Sequence, residues 1–151
     1  MKYTQADKFE LMKFVYDNTD SFIMNTFGYL WESRDWWDKQ IIDIYRDDNT
    51  KEILVLHAYS VNVKPNTLKT YYIVTNKKNR GKGLAKIMIL QALRKYAHLV
   101  EKYYVNSEEH SEGVKFYKKL LGNPTIETNE FGTKDFIFQK LIKDILYEQE
   151  V

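Results

Sequence analysis

The chain of 151 residues contains no cysteine. This absence excludes disulfide bridges, cysteine-based zinc sites and a cysteine nucleophile at the same time. No apolar run approaches the roughly 20 residues that a membrane-spanning helix needs. Polar sequence follows the first four residues, so no signal peptide is predicted either. We therefore expect a cytoplasmic protein without a membrane partner.

An excess of charge of one sign is also missing. The 23 Lys and Arg residues against 21 Asp and Glu leave a net charge of +2, which is too small to favour nucleic-acid binding. His57, His98 and His110 lack the spacing of metal ligands, so no metal is expected. With 44% hydrophobic and 29% charged residues, the composition is that of an ordinary globular protein. The length predicts a single domain over residues 1–151.

The most informative stretch is a strand, a basic loop and a helix in succession. Tyr71–Thr75 is rich in aromatic and β-branched residues, and apolar residues recur at helical spacing from Ala85 onward. The loop between them, Asn76–Gly83, contains two glycines that permit a tight turn and close approach of the backbone to a ligand. Its cations are Lys77, Lys78, Arg80 and Lys82. Free amides and the positive end of the helix dipole predict a phosphate site here.

Two common phosphate loops do not fit this stretch. A P-loop requires Gly-Lys-Ser/Thr, but Leu84 follows Gly83. A Rossmann fingerprint requires a third small residue, but Lys86 lies three residues beyond Gly83. The simplest alternative is a basic surface turn without a ligand.

The rest of the pattern predicts a layered α/β domain. In a first helix we expect Phe9, Met12, Val15 and Tyr16 to share the core-facing side. The nearly continuous apolar run over Glu52–Val61 predicts a central strand that is buried on both faces. The tail after Ile142 is expected to be frayed or a short helix. Predicted helices cover Gln5–Asn18 and Glu112–Leu120, and predicted strands cover Gln40–Arg46, Glu52–Val61, Leu68–Thr75, Lys102–Val105, Thr125–Thr128 and Asp135–Ile142.

Two motifs resemble those of the GNAT superfamily of N-acetyltransferases. The sequence RGKGLA over residues 80–85 is similar to its acetyl-CoA signature, Q/R-x-x-G-x-G/A, with Lys78 in the Q/R position. The second motif, N-x-x-A-x-x-x-Y followed by glycine, is matched by Tyr117 and Gly122. His110 and Gly113 stand where Asn and Ala are usual. The resemblance implies a GNAT-like mixed, mostly antiparallel sheet flanked by helices.

The resemblance also implies acetyl transfer from acetyl-CoA to a primary amine by direct attack. Amides of Val74 and Thr75 would polarise the thioester carbonyl. Tyr117 takes the place of the general acid that protonates the departing sulfur. The residues implied in acetyl-CoA binding are Val74, Thr75, Lys78, Arg80, Gly81, Lys82, Gly83, Leu84, Ala85 and His110.

The general base and the acceptor site are less determined. The predicted strand Leu68–Thr75 contains no carboxylate, which leaves His57, Glu108, Glu109 or His110 as a base, or an amine that arrives neutral. An aromatic wall would suit an amine through cation–π contact, although aromatic residues also pack in cores. The residues implied at the acceptor site are Phe27, Tyr29, Trp31, Trp36, Trp37 and Phe131.

Other functions are compatible with the same residues. One is a non-catalytic acyl-CoA-binding module, and another is an acetyltransferase that acts on a protein or nucleobase amine. A third is nucleic-acid binding through the loop lysines and nearby tyrosines, which the balanced charge does not favour. The expected partner is a small-molecule or peptide amine, and the sequence allows a homodimer.

Overall fold

A computed structural model describes residues 5–18, 40–108 and 113–150. The helices are α1 (Gln5–Asn18), α2 (Leu84–Tyr96), α3 (Gly113–Leu121) and α4 (Ile142–Glu150), with a short 3-10 helix at Lys77–Asn79. The strands are β1 (Ile41–Arg46), β2 (Ile53–Asn62), β3 (Thr67–Thr75), β4 (Lys102–Glu108), β5 (Thr125–Thr128) and β6 (Lys134–Leu141).

The six described strands form one sheet in the order β1-β2-β3-β4-β6-β5. β3 and β4 run parallel, with Thr67–Thr70 opposite Lys102–Val105. β4 pairs with β6, and β5 with β6, in antiparallel fashion. The predicted fold class, a mixed and mostly antiparallel sheet flanked by helices, is confirmed. β4 extends three residues beyond the predicted Val105, because its pairing with β6 continues to Asp135.

The described residues cluster into two compact units. Residues up to Ala58 together with Tyr72–Ile89 form the first unit, and Tyr59–Tyr71 together with the chain from Leu90 onward form the second. The expectation of a single domain over residues 1–151 stays a prediction.

In the first unit, helix α1 packs on the sheet with only part of the predicted face, since Val15 is buried and Met12 packs against the core but Phe9 and Tyr16 do not. Phe9 and Tyr16 are 70% and 63% exposed, whereas Leu11, Phe14 and Val15 are buried. The buried positions are spaced by three and four residues, so they form one helical stripe that the apolar character of Phe9 and Tyr16 obscured. The prediction of a core face containing Phe9 and Tyr16 is wrong. The cluster that receives α1 contains Ile42, Ile53, Leu56, Ala58 and Val74.

The second unit has a core of large side chains from strands and the last helix. Its fully buried members include Tyr59, Leu68, Tyr103 and Phe138. Helix α4 begins directly after β6 and buries Ile142 and Ile145, which makes the tail an ordered helix. A frayed end, the alternative left open by the sequence, is therefore ruled out over Ile142–Glu150.

Candidate functional site

The loop after β3 is held by side-chain amides. The buried Asn76 accepts a hydrogen bond at its Oδ1 from the Lys78 N–H (3.0 Å), and its Nδ2 donates to Glu52 Oε1 (3.1 Å). Asn18 Oδ1 accepts from the Lys77 N–H at 2.9 Å. These bonds produce the 3-10 helix at Lys77–Asn79, which the sequence pattern did not reveal. The amides of residues 77 and 78 are thus already engaged before any ligand binds.

Gly81 and Gly83 determine how the chain enters α2. Their φ angles are +83° and +77°, in the left-handed region that other residues adopt at a cost of about 1–2 kcal/mol. Among the described residues, a Cβ atom added at either position would meet nothing within 4 Å. The backbone conformation, rather than crowding by the described part of the chain, therefore requires glycine at both positions.

The first turn of α2 presents backbone donors that have no backbone acceptor in the described part of the chain. Its hydrogen-bond ladder begins with the Ile87 N–H, which donates to the Gly83 carbonyl at 3.1 Å. The amides of Leu84, Ala85 and Lys86 precede this bond, and within the described ranges no backbone acceptor is recorded for them. Such donors at the positive end of a helix dipole suit an anion, and a phosphate in particular. The geometry fits the predicted phosphate site.

The side chain of Arg80 contacts two backbone carbonyl groups of the protein. Its Nη2 donates to the Asn18 carbonyl oxygen at the end of α1, and its Nε donates to the Thr75 carbonyl oxygen at 3.4 Å. The side chain of Asn18 is itself fixed by donating to the Phe14 carbonyl at 2.8 Å. The Arg80 guanidinium therefore braces the loop against α1 and β3. Its direct contact with a cofactor stays a prediction.

The loop lysines are exposed, and Lys82 Nζ donates to Asn79 Oδ1 at 3.2 Å. Lys77 and Lys78 also border an open pocket of about 390 Å³. Three carboxylates, those of Glu10, Asp17 and Glu52, line this pocket too. Because its charge is mixed, the pocket suits a phosphate less well than the start of α2 does.

Tyr117, the implied general acid, lies on α3 and is 5% exposed. Its ring packs against Phe116 and Phe138, at centroid distances of 5.0 and 5.7 Å. Burial raises the pKa of Tyr117, because the ionised phenolate would lose its hydration. Tyr117 is therefore a protonated phenol at neutral pH, which is the form that an acid requires.

Tyr103 and Thr70 are polar residues of this region that the sequence analysis missed. The Thr70 Oγ1 and Tyr103 hydroxyls lie 2.6 Å apart, and both residues are buried. The signal that could have found Tyr103 is the alternation of KYYV, in which residues 103 and 105 share one face of the strand. Thr70 becomes its neighbour only through the parallel register of β3 and β4.

His57, a candidate base, lies in the middle of β2 and is fully buried. Burial lowers its pKa to about 3, because the charged imidazolium loses its hydration. The side chain is therefore neutral at pH 7 and only weakly basic. This environment favours a packing role over proton abstraction, and a role for His57 in catalysis stays a prediction.

The remaining implied residues are described unevenly. Val74 is buried at the end of β3, beside Thr75. Phe131 is 83% exposed in the turn between β5 and β6. Glu108 is the last residue of β4, and only its backbone is described. The predicted site residues that lie outside the described residues are Phe27, Tyr29, Trp31, Trp36, Trp37, Glu109 and His110.

In the described part of the chain, no helix is both long enough and apolar enough to cross a bilayer. No group of three or more His, Cys, Asp or Glu side chains within residues 5–18, 40–108 and 113–150 is arranged to hold a metal ion.

Comparison with known proteins identifies the fold. No family model and no curated protein sequence matches this chain. Among solved structures, an acetyltransferase of the GNAT family from Desulfovibrio desulfuricans superposes on this chain with a TM-score of 0.73. The superposition covers 92% of this chain and 94% of the Desulfovibrio protein, and 10% of the residues are identical. This chain has the GNAT fold.

Two further structures share the GNAT fold. The PaiA N-acetyltransferase from Thermoplasma acidophilum, in complex with coenzyme A, has a TM-score of 0.69 at 12% identity, covering 93% of this chain and 96% of that one. Mutant forms of the spermidine/spermine N-acetyltransferase SpeG from Vibrio cholerae give a TM-score of 0.66 at 14% identity, covering 97% and 95%. The structural likeness extends over nearly the whole of each chain, although few residues are identical.

Proposed function

We propose that this protein is an acetyl-CoA-dependent N-acetyltransferase whose acceptor is a primary amine. The observation that carries the proposal is the start of α2, where two left-handed glycines lead into three amides that have no backbone acceptor within residues 5–18, 40–108 and 113–150. Those amides suit the pyrophosphate of coenzyme A. The coenzyme A complex of the PaiA enzyme, which shares the fold, supports this choice of ligand.

When bound, acetyl-CoA would supply a thioester carbon that an amine can attack directly. The amine nitrogen forms the new C–N bond, the C–S bond breaks with its electron pair on sulfur, and one proton passes overall from nitrogen to sulfur. The chain's own tasks are to hold the diphosphate, to polarise the carbonyl and to protonate the sulfur. We assign the first to residues 80–85, the second to the amides of Val74 and Thr75, and the third to Tyr117.

No strong base is evident among the described residues. β3 carries no carboxylate, and His57 is a weak base because it is buried. We therefore favour an amine that binds in its neutral form, with Glu108 as the alternative base. Phe131, exposed in the β5–β6 turn, is the described candidate for contact with the acceptor.

A second candidate is a non-catalytic acyl-CoA-binding module. The weak basicity of His57 is the observation that favours it. Such a protein would keep the diphosphate site and have no need of a proton-transfer group.

Binding and turnover separate the two functions. Calorimetry with acetyl-CoA should give a saturable heat, and free thiol should appear when the protein is mixed with acetyl-CoA and a panel of polyamines, aminoglycosides and peptide amines. Binding without thiol release on any amine would support the module. The absence of any heat would refute both candidates.

A further inference from the structure

The side chain of Asn18 joins the last turn of α1 to the loop that follows β3. Its Nδ2 donates to the Phe14 carbonyl at 2.8 Å, and its Oδ1 accepts from the Lys77 N–H at 2.9 Å, across 59 positions of the chain. A carbonyl can only accept and a backbone N–H can only donate, so the two partners fix which end of the amide faces each of them. Asn18 is 7% exposed, and a buried amide that is satisfied at both ends is costly to displace.

A second buried asparagine, Asn76, fixes the next amide of the loop. Its Oδ1 accepts from the Lys78 N–H at 3.0 Å. Its Nδ2 donates to Glu52 Oε1 at 3.1 Å and to the Ile53 carbonyl at 3.3 Å, at the start of β2. Asn76 therefore ties the loop to the sheet, and Asn18 adds a tie to α1 that the sheet does not provide.

The tie to α1 acts on the part of the loop that leads to the proposed diphosphate site. Lys77 begins the 3-10 helix, from which the chain passes through Gly81 and Gly83 into the first turn of α2. Arg80, just before the first of these glycines, donates to the backbone carbonyl of Asn18. A loop that must be ordered when its ligand arrives binds more weakly than one that is already held in the binding conformation.

We propose that Asn18 is a positioning residue for acetyl-CoA, which holds the loop in the conformation that presents the amides of Leu84 and Ala85 to the diphosphate. The inference rests on the proposed function. Asn18 acts through the Lys77 N–H and takes no part in acetyl transfer. It should therefore set the dissociation constant of acetyl-CoA and leave kcat unchanged.

Asn18→Ala removes both side-chain hydrogen bonds and keeps a residue that suits a helix. We expect the dissociation constant of acetyl-CoA, measured by calorimetry, to rise by about fivefold to tenfold, because the binding conformation of the loop is then populated for only part of the time. At saturating acetyl-CoA, kcat should stay within about twofold of the wild-type value. The NMR resonance of the Lys77 amide proton should move upfield, since this proton loses its acceptor.

Asn129→Ala is the matched control, because Asn129 braces the β5–β6 turn in the same manner. Its Oδ1 accepts from the N–H groups of Phe131 at 2.9 Å and Thr133 at 3.2 Å. The substitution removes hydrogen bonds of the same kind at another turn. It should leave the dissociation constant of acetyl-CoA and the Lys77 amide resonance unchanged.

Lys77→Pro tests the same hydrogen bond from its donor side. Proline suits this position, because residue 77 opens a 3-10 helix and Asn76 before it has an extended ψ of 130°. Lys77→Ala removes the same charge and keeps the N–H. Asn18→Ala should therefore weaken binding by its full factor in a Lys77→Ala background. In a Lys77→Pro background it should weaken binding no further, because the ring carbon that replaces the hydrogen has already broken the bond.

The outcomes separate this inference from the function on which it rests. If the wild-type protein gives no heat with acetyl-CoA, both are overturned. If the wild type binds acetyl-CoA and Asn18→Ala binds it equally tightly, or if Asn18→Ala weakens binding equally in both Lys77 backgrounds, the positioning role alone is refuted. If Asn18→Ala does not unfold cooperatively, the two Lys77 variants decide. Lys77→Pro should then bind acetyl-CoA more weakly than Lys77→Ala, and equal affinities would refute the role of Asn18.

Discussion

The glycine loop at the start of α2 and the buried phenol of Tyr117 differ in the physical task that we propose for each. The loop is exposed, and the atoms proposed to bind the diphosphate are backbone amides that two glycines bring to the surface. Tyr117 is buried, and the atom proposed to transfer a proton is a side-chain hydroxyl on a ring that packs against Phe116 and Phe138. A site made of amides suits tight binding of a fixed anion, whereas a buried phenol suits a single proton transfer. The difference predicts that the loop sets the affinity for acetyl-CoA and that Tyr117 sets the rate.

The largest test of this division is Tyr117→Phe. Because it removes the proposed acid and keeps the ring, kcat should fall roughly a hundredfold or more, in the range usual for general acid catalysis. The dissociation constant of acetyl-CoA, measured by calorimetry, should stay within about twofold of the wild-type value. This is well below a tenfold change, which would correspond to about 1.4 kcal/mol of binding free energy. An unchanged kcat would remove Tyr117 from the proposed mechanism.

The burial of His57 should make the free energy of unfolding depend on pH. The pKa of His57 is about 3 in the folded protein, against an ordinary value of 6.5. Its contribution to the free energy of unfolding is therefore fully present above pH 6.5. As the pH falls below 6.5 the unfolded chain binds a proton that the folded chain does not. The free energy of unfolding should then decrease by about 1.4 kcal/mol per pH unit from this group.

Denaturant titrations at pH 7 and pH 5 measure this effect. His57→Leu should reduce the difference between the two pH values, although the substitution shifts the absolute stability. His98→Gln, at an exposed histidine, is the matched control and should leave the difference as it is. If His57→Leu leaves the acid sensitivity untouched, burial of His57 is not its cause.

Gly83→Ala is the corresponding test of the loop. Alanine at φ of +77° is strained, so the loop should relax and weaken acetyl-CoA binding by about tenfold while kcat changes little. Gly132→Ala is the matched control, because Gly132 has a φ of +82° and equally open surroundings but lies in the β5–β6 turn. Gly132→Ala should lower the thermal stability about as much as Gly83→Ala does, but it should leave the dissociation constant of acetyl-CoA unchanged. If both variants changed the affinity for acetyl-CoA equally, the loop before α2 would not be the binding site.

The smallest expected effect is at Phe131. A side chain this exposed contributes little to folding, so Phe131→Ala should leave the melting temperature unchanged. Loss of a surface cation–π contact with the acceptor would raise KM for the amine by roughly two- to fivefold. Phe131→Tyr should preserve KM, since it keeps the aromatic face. An amine KM indifferent to both substitutions would remove Phe131 from the acceptor site.

The local part of this architecture was predictable from the sequence. The strand, the loop and the start of α2 depend on residues close together in the chain, above all on Gly81 and Gly83, whose positive φ angles agree with the tight turn expected of them. The hydrogen bond between the side chains of Thr70 and Tyr103 depends on the register of β3 and β4. These strands are separated in the chain by a helix, and no local sequence pattern specifies their register. The core face of α1 was predicted correctly at Val15 and Met12 and wrongly at Phe9 and Tyr16. Phe9 and Tyr16 are apolar enough to be buried, but Leu11 and Phe14 are buried instead.

The contact between Asn18 and the loop Asn76–Gly83 joins the stability of the end of α1 to that of the loop. The last residue of α1 fixes the Lys77 amide and supplies the carbonyl on which the Arg80 guanidinium rests. A ligand that binds only the ordered loop therefore lowers the population of states in which the end of α1 is frayed. Backbone amides in the last turns of α1 should therefore exchange their hydrogens more slowly with acetyl-CoA present.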